Sequence, residues 1–341
     1  MATSAKTRAA CIAGLVGLLL LSAPAVGVSA APAIDLATVD VDKGPRGAVA
    51  TPDGKRVLVA NSGSGTVIAI NATNYQVEAS IAVGGTPTHV AVSPAGTRAY
   101  VLDYNSAVVH VIDTASLQLV RSFSTPLDPD LDQAKALGIA VNPAGTRVFV
   151  IATTGTCCSD LARLTAIDTS SDTVVATVSL GENTPWALEM NPQGNRIYVS
   201  VTRRVVAQLS GHIRVFDAES LDAVGEMQVG RAPSALVLDA EGRALYVTDV
   251  DTDTVSAVNV ATMKVMSTAR VGYVPTDVAL SPDGAYLYVV NGLSACVSVI
   301  SILPPPQGLV PIGECLQVGL AFQIPTEYQR MAQRIAVHPK T

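Results

Sequence analysis

The chain is poor in charge, in tryptophan and in histidine. Only 15% of its 341 residues are charged, Trp186 is the single tryptophan, and four histidines (His89, His110, His212 and His338) stand apart without zinc spacing. A haem attachment, a phosphate loop and a nucleophile elbow are all missing, so no short motif names a chemistry or a cofactor. Basic excess is missing as well. Setting aside Lys6 and Arg8 in the leader leaves 20 basic residues against 28 acidic ones, a net charge of −8. A nucleic-acid backbone or an anionic membrane surface is therefore excluded as the main partner. Beyond residue 30 no segment reads as membrane-spanning.

What is present begins with that leader. Lys6 and Arg8 precede an apolar run over residues 9–21, and Val28-Ser29-Ala30 offers a cleavage site, which together read as a secretory signal peptide over residues 1–30. A transmembrane anchor is the rival reading, but the run is shorter than the roughly 20 residues that cross a bilayer. The expected location is secreted or periplasmic, without stable membrane insertion. Four cysteines remain after cleavage into an oxidising compartment, where pairing is favoured. Cys157 and Cys158 are adjacent, and form either a vicinal disulfide or two thiols with partners elsewhere.

One turn recurs along the chain. Pro52-Asp53-Gly54, Pro94-Ala95-Gly96, Pro143-Ala144-Gly145, Pro192-Gln193-Gly194, Ala240-Glu241-Gly242 and Pro282-Asp283-Gly284 place glycines 42, 49, 49, 48 and 42 residues apart. A period in the forties with strand-like runs on both sides is the pattern of a β-propeller, whose blades each hold four antiparallel strands. The fold class is all-β, and residues 31–341 read as one propeller domain. In the first unit the expected strands are residues 48–51, 57–60, 66–70 and 76–83, and inner strands recur at 90–93, 139–142, 188–191, 236–239 and 278–281. Six complete blades follow. Aligning the repeats puts Cys296 in the slot of Thr66 and Cys315 in that of Ser80, which would face each other across a hairpin, so a Cys296–Cys315 cross-strand disulfide is predicted.

The second strands carry a more specific signature. Tyr100-Val101-Leu102-Asp103, Tyr198-Val199-Ser200-Val201, Tyr246-Val247-Thr248-Asp249 and Tyr288-Val289-Val290-Asn291 closely resemble the YVTN-repeat β-propellers, a family that includes the YncE-like exported proteins. The resemblance covers nearly all of the mature chain and implies seven blades and a binding or surface module. It transfers no catalytic motif.

The seventh blade departs from this pattern. Residues 33–41 read as an outer strand donated by the N-terminus and Arg334 to His338 as an inner strand, so that the last blade is a two-strand stub, or the ring closes with six blades, or the chain is cut short. An incomplete blade closed by the N-terminal strand would leave a strand edge open to self-association or to a partner.

Side chains alternate along a strand, so the inner strands sort into two channel-facing slots. One holds Gly47, His89, Gly138, Ala187, Ala235, Asp277 and Arg334, and the next holds Val49, Ala91, Ala140, Glu189, Val237, Ala279 and Ala336. His89, Glu189, Asp277 and Arg334 are their only charged or titratable members, able to serve as acid/base and anion-binding groups at the channel mouth or to form a wet ion-pair network. Arg46 and Trp186 lie one residue away, as ligand-contacting candidates. Two loops after second strands are long, and one of them brings Arg203, Arg204, Gln208 and His212 to the same end as binding candidates. Two alternating acidic runs, Asp128-Asp130-Asp132 and Asp249-Asp251-Asp253, lack the glycine and glutamate a calcium loop needs, so no metal site is expected.

Two functions fit these features. The first is an exported binding or interaction module that holds a small molecule or a protein. The alternative is a propeller enzyme of lyase, isomerase or lactone hydrolase type at the channel mouth. A third, narrower reading makes Cys157 and Cys158 a redox pair.

Overall fold

Each blade is built from a strand pair turned by the recurring glycine. The structure, a computed structural model, describes residues 39–125, 134–154, 162–181, 183–205, 208–281, 283–304, 308–313 and 315–317. In all six turns the glycine adopts a positive φ, 67° at Gly54 and 74° at Gly194, and its amide donates to the carbonyl three residues back. Only glycine takes that conformation without strain, which explains why it recurs while its neighbours vary.

The chain forms two compact units, Met1–Thr125 and Pro126–Thr341. The first unit holds two four-stranded antiparallel sheets. They comprise β1 (Pro45–Ala50), β2 (Arg56–Asn61), β3 (Thr66–Asn71) and β4 (Val77–Ala82), then β5 (Pro87–Val92), β6 (Arg98–Asp103), β7 (Val108–Asp113) and β8 (Gln118–Ser124). The second unit holds four more sheets. Blade three is β9 (Ala134–Val141), β10 (Arg147–Thr154), β11 (Ala162–Asp168) and β12 (Thr173–Gly181). Blade four is β13 (Thr184–Met190), β14 (Arg196–Val205), β15 (Gln208–Asp217) and β16 (Ala223–Gln228). Blade five is β17 (Pro233–Leu238), β18 (Ala244–Asp249), β19 (Thr254–Asn259) and β20 (Lys264–Arg270). Blade six is β21 (Pro275–Leu280), β22 (Tyr286–Asn291), β23 (Cys296–Leu303) and β24 (Gly308–Pro311), with β25 (Leu316–Gln317) also paired to β23.

Burial follows strand order. The middle strands are buried on both faces, as at Val57–Asn61, whereas the outer strand β4 is largely exposed, with Ile81 buried and Ala79 half-buried. Apolar cores fill the spaces between neighbouring sheets, with Phe149, Leu164, Ile197 and Phe216 between blades three and four, and Tyr246, Val255, Leu287 and Ile300 between blades five and six. Burying such a side chain contributes about 1.5–3 kcal/mol, so the blades hold together by stacking.

The inner strands start about three residues earlier than the alternation suggests, because pairing continues across a bulge to the preceding proline, as at Pro45/Gly47, Pro87/His89, Pro185/Ala187 and Pro275/Asp277. Thr66 and Ser80 sit diagonally and not face to face: Thr66 pairs with Ala82 and Ile68 with Ser80. Both hydroxyls donate to Asp42 Oδ2, at 2.7 and 2.9 Å. In blade six the same diagonal carries the predicted disulfide, Cys296–Cys315, with Cα atoms 5.7 Å apart. Of the expected seventh blade, residues 39–42 lie against blade one, where Val39 and Val41 pack on Val57, Val59, Ile68 and Ile70. Residues 1–30, Asp128, Asp130, Asp132, Cys157, Cys158 and the strand around Arg334 lie outside the described residues.

Candidate functional site

The bulges at the start of the inner strands decide where the candidate side chains point. Arg46, Thr88, Trp186 and Thr276 are the extra residues of four such bulges. A bulge re-aims its side chain away from the regular alternation. Trp186, half-buried, uses this to donate its indole N–H to Thr202 Oγ1 at 3.0 Å, which ties it to the second strand of its own blade. Its ring is anchored as well as presented. Arg46 occupies the equivalent bulge in the first unit.

The channel-slot residues divide between the units. In the first, His89 is exposed, and its Nδ1 lies 3.0 Å from Thr88 Oγ1. Desolvation by the surrounding protein lowers its pKa, an effect that solvent contact of the exposed ring weakens. In the second, Asp277 accepts the Val278 amide at 2.9 Å, and desolvation raises its pKa to about 6 against that hydrogen bond. Glu189 is raised further, to about 8, by desolvation. It lines a cavity of about 280 Å³ with Ala140, Met190, Asn191, Pro192 and Asp239. Those neighbours are the ends of β9, β13 and β17 and the turns after them, so Glu189 lies at the turn end of the inner strands. Glu189, expected in the slot below the mouth-side one, lies three residues beyond Trp186 along β13.

Blade four carries a connected polar network among the described residues. Strands β14 and β15 run ten residues each, and their pairing continues through Arg203↔Ser210 and Arg204↔Leu209 to Val205↔Gln208. At the base of this hairpin arm Arg203 Nη1 and Nη2 clamp the Glu226 carboxylate at 2.6 and 2.8 Å, and Arg203 Nε donates to Asn183 Oδ1 at 2.7 Å. His212 Nδ1 lies 2.8 Å from Glu226 Oε1, and its Nε2 lies 2.9 Å from Ser210 Oγ. Burial first, and then Arg203, lower the His212 pKa against the opposing pull of Glu226, so the ring is neutral at pH 7. Arg214 donates to Leu180 O at 3.1 Å and lies over the Phe216 ring.

The acidic run at the end of β18 is fully employed. Asp249 caps the turn by accepting the amides of Arg231, Ala232, Asp251 and Thr252, Asp251 pairs with Arg231 at 2.8 Å, and Asp253 accepts the Val274 amide. Among the described residues no cluster of three or more metal-ligating side chains occurs.

Residues 42–221 match the family described as Lactonase, 7-bladed beta-propeller. The chain belongs to this propeller family. Residues 149–303 also match the YNCE-like beta-propeller description, in line with the resemblance of the second strands. Among solved structures, the hydrazine synthase of Kuenenia stuttgartiensis is similar at 22% identity and TM-score 0.67, covering 78% of this chain and 85% of that one. U3-55K is similar at 12% identity and TM-score 0.65, covering 81% and 83%. At these identities both show the propeller fold alone. No curated protein matches by sequence.

Within the propeller family frame, the long segment after the second strand, expected as a loop, pointed to Arg203 and His212 but not to Ser210, Glu226 and Asn183, and the structure forms it as the extended ends of β14 and β15. Ser210 and His212 alternate on one strand, and Glu226 arrives from the next, where β16 pairs Arg214 with Glu226 and His212 with Gln228. Only the register of the β15–β16 hairpin brings them together. The exported location expected from the leader is compatible with the YNCE-like match and the disulfide. No helix among the described residues is long and apolar enough to cross a membrane.

Proposed function

We propose that the chain is an exported, secreted or periplasmic binding or interaction module, a single propeller domain that holds a small molecule or protein against the arm of blade four. The observation that carries this reading is the arm itself: two ten-residue strands held upright at their base by the Arg203–Glu226–His212 network. Long elements on a rigid scaffold are where binding residues concentrate. Trp186 is tied to Thr202 at the foot of the arm and supplies an aromatic face there. Arg204 belongs to the same hairpin.

The test replaces residues 202–211 with the short turn that joins β18 to β19. A component of an envelope extract retained by the wild type, by His89→Ala and by Glu189→Ala should be lost from the arm-less protein while its β-sheet circular dichroism persists. Retention by the arm-less protein would overturn the reading.

The alternative, an enzyme of the lactone hydrolase type, is favoured by one observation: Glu189 borders a cavity with its carboxyl held protonated near neutral pH. A protonated carboxyl can act as a general acid. In that case Glu189→Gln should abolish acid release from a panel of lactones in a pH-stat, and arm replacement should leave it intact.

A further inference from the structure

From the side chains at the base of the blade-four arm, we infer that Ser210, His212 and Glu226 form an acyl-accepting serine site on the outer half of blade four, separate from the channel residues. The site would take small activated carboxylic esters. Its geometry has the three links such chemistry needs. Ser210 Oγ is 2.9 Å from His212 Nε2, His212 Nδ1 is 2.8 Å from Glu226 Oε1, and Glu226 is fixed in turn by two hydrogen bonds from Arg203. A carboxylate only accepts, so Nδ1 carries the imidazole proton and Nε2 offers its lone pair to the serine hydroxyl. The imidazole, lowered in pKa by burial and Arg203, is in its basic form at neutral pH. Ser210 is half-buried and Gln228 exposed, so a small reagent can reach the hydroxyl. Gln228 Nε2, 3.4 Å from Ser210 Oγ, is the amide donor placed to meet a developing oxyanion.

The step balances without a co-reactant other than water. Ser210 Oγ attacks the ester carbonyl carbon as its proton passes to His212 Nε2. The carbon–oxygen bond to the alcohol then breaks, and Nε2–H protonates the departing alkoxide. In the second half a water gives its proton to Nε2 and attacks the acyl carbon; the Oγ–carbon bond breaks and Ser210 recovers the proton. Glu226 holds the Nδ1–H side of the ring and acts as a positioning residue. The Arg203 clamp neutralises much of its charge, which weakens the base, so acylation is expected to outrun turnover.

The molecule contains its own control. In the first unit His110 Nδ1 lies 2.8 Å from Ser122 Oγ, but His110 Nε2 is buried without a hydrogen-bond partner among the described residues, so no carboxylate orients that ring. Ser122 is therefore expected to stay inert.

The experiment treats the full mature chain with a fluorophosphonate at pH 8 and maps the adduct by mass spectrometry. Adduct on Ser210 and none on Ser122 is expected. The labelling rate should fall more than 100-fold in His212→Gln, in the range by which general bases contribute. Glu226→Gln should slow labelling about 10-fold and move its pH midpoint downward, because removing the anion leaves burial and Arg203 unopposed in lowering the imidazole pKa; Arg214 is the other charged group on this sheet face among the described residues. With p-nitrophenyl acetate the wild type should give a burst followed by slow turnover, and Ser210→Ala no burst. Adduct mapping on the wild type needs no variant to fold. No adduct on Ser210 in the folded protein, or unchanged labelling in His212→Gln, would overturn the assignment.

Discussion

Blades four and five are copies of one repeat that end their second strand differently. In blade five Asp249 closes β18: it is 2% exposed and accepts four backbone amides, and Asp253 four residues later takes a φ of 55° before β19 begins. Blade four has Val201 at the same point of the repeat. Valine cannot cap, so β14 runs on through Val205 and returns as β15. Blade three has Ala152 there and also continues, to Thr154. Blades one, two and six keep Asn61, Asp103 and Asn291 and turn at once, with Gly65, Ala107 and Ala295 at positive φ. One side chain thus decides whether a blade ends in a tight turn or in an arm.

The harshest way to break this contrast is to give blade five the residue of blade four. Asp249→Val strands the buried amide of Ala232 and the half-buried amides of Arg231, Asp251 and Thr252, and an unsatisfied buried group costs about 1–3 kcal/mol, a half-buried one less. A loss of about 4 kcal/mol, read as a drop in the urea midpoint at unchanged m-value, is expected. Val201→Ala, which removes no cap but opens a small cavity in the core, should cost about 2 kcal/mol; equal losses in the two variants would refute the capping argument.

Next in size is the disulfide, which clips β25 to the start of β23 beside the Asn291 turn. Closing a loop of 19 residues is worth about 3 kcal/mol in the chain-entropy account. Cys296→Ser with Cys315→Ser should lower stability by that order, and dithiothreitol should then have no further effect.

How much of this was legible beforehand follows from the same contrast. Turn glycines act locally, so the six recurring turns and the strand-like runs beside them revealed six blades, and repeat alignment alone paired Cys296 with Cys315. Depth along a strand was less legible: the bulge after each inner proline shifts the strand's start, which attached Trp186 to Thr202. Least legible was the Ser210–His212–Glu226 group, because its members meet through the β15–β16 register, and a hairpin register is set by a turn whose conformation the residues only loosely imply.

Inner-strand chemistry gives the third test. The folded state holds a proton on Glu189 up to about pH 8, whereas the unfolded chain releases it near 4.5. Between those values the folded form binds more protons, so stability falls as pH rises. Asp277 acts with the same sign up to about 6. Glu189→Gln should flatten the alkaline limb and stabilise the protein at pH 8 by about 2 kcal/mol, discounted for its accessible surface.

The smallest effect belongs to the arm. Arg203 and Glu226 keep 36% and 33% of their side chains exposed, so their pair falls in the range of about 0.2–1 kcal/mol despite its bidentate geometry. Arg203→Ala should leave the global urea midpoint nearly unchanged. The network closes only the base of β14 and β15, so its loss should appear as local opening, with amide exchange of Thr202 and Leu209 accelerated about fivefold while Tyr198 and Val215 stay protected. If exchange rose equally along the whole hairpin, the arm would be part of the blade's cooperative core, and the division between a buried cap in blade five and a surface clamp in blade four would fail. A clamp that costs little to release is what allows an element to meet a ligand without endangering the sheet beneath it.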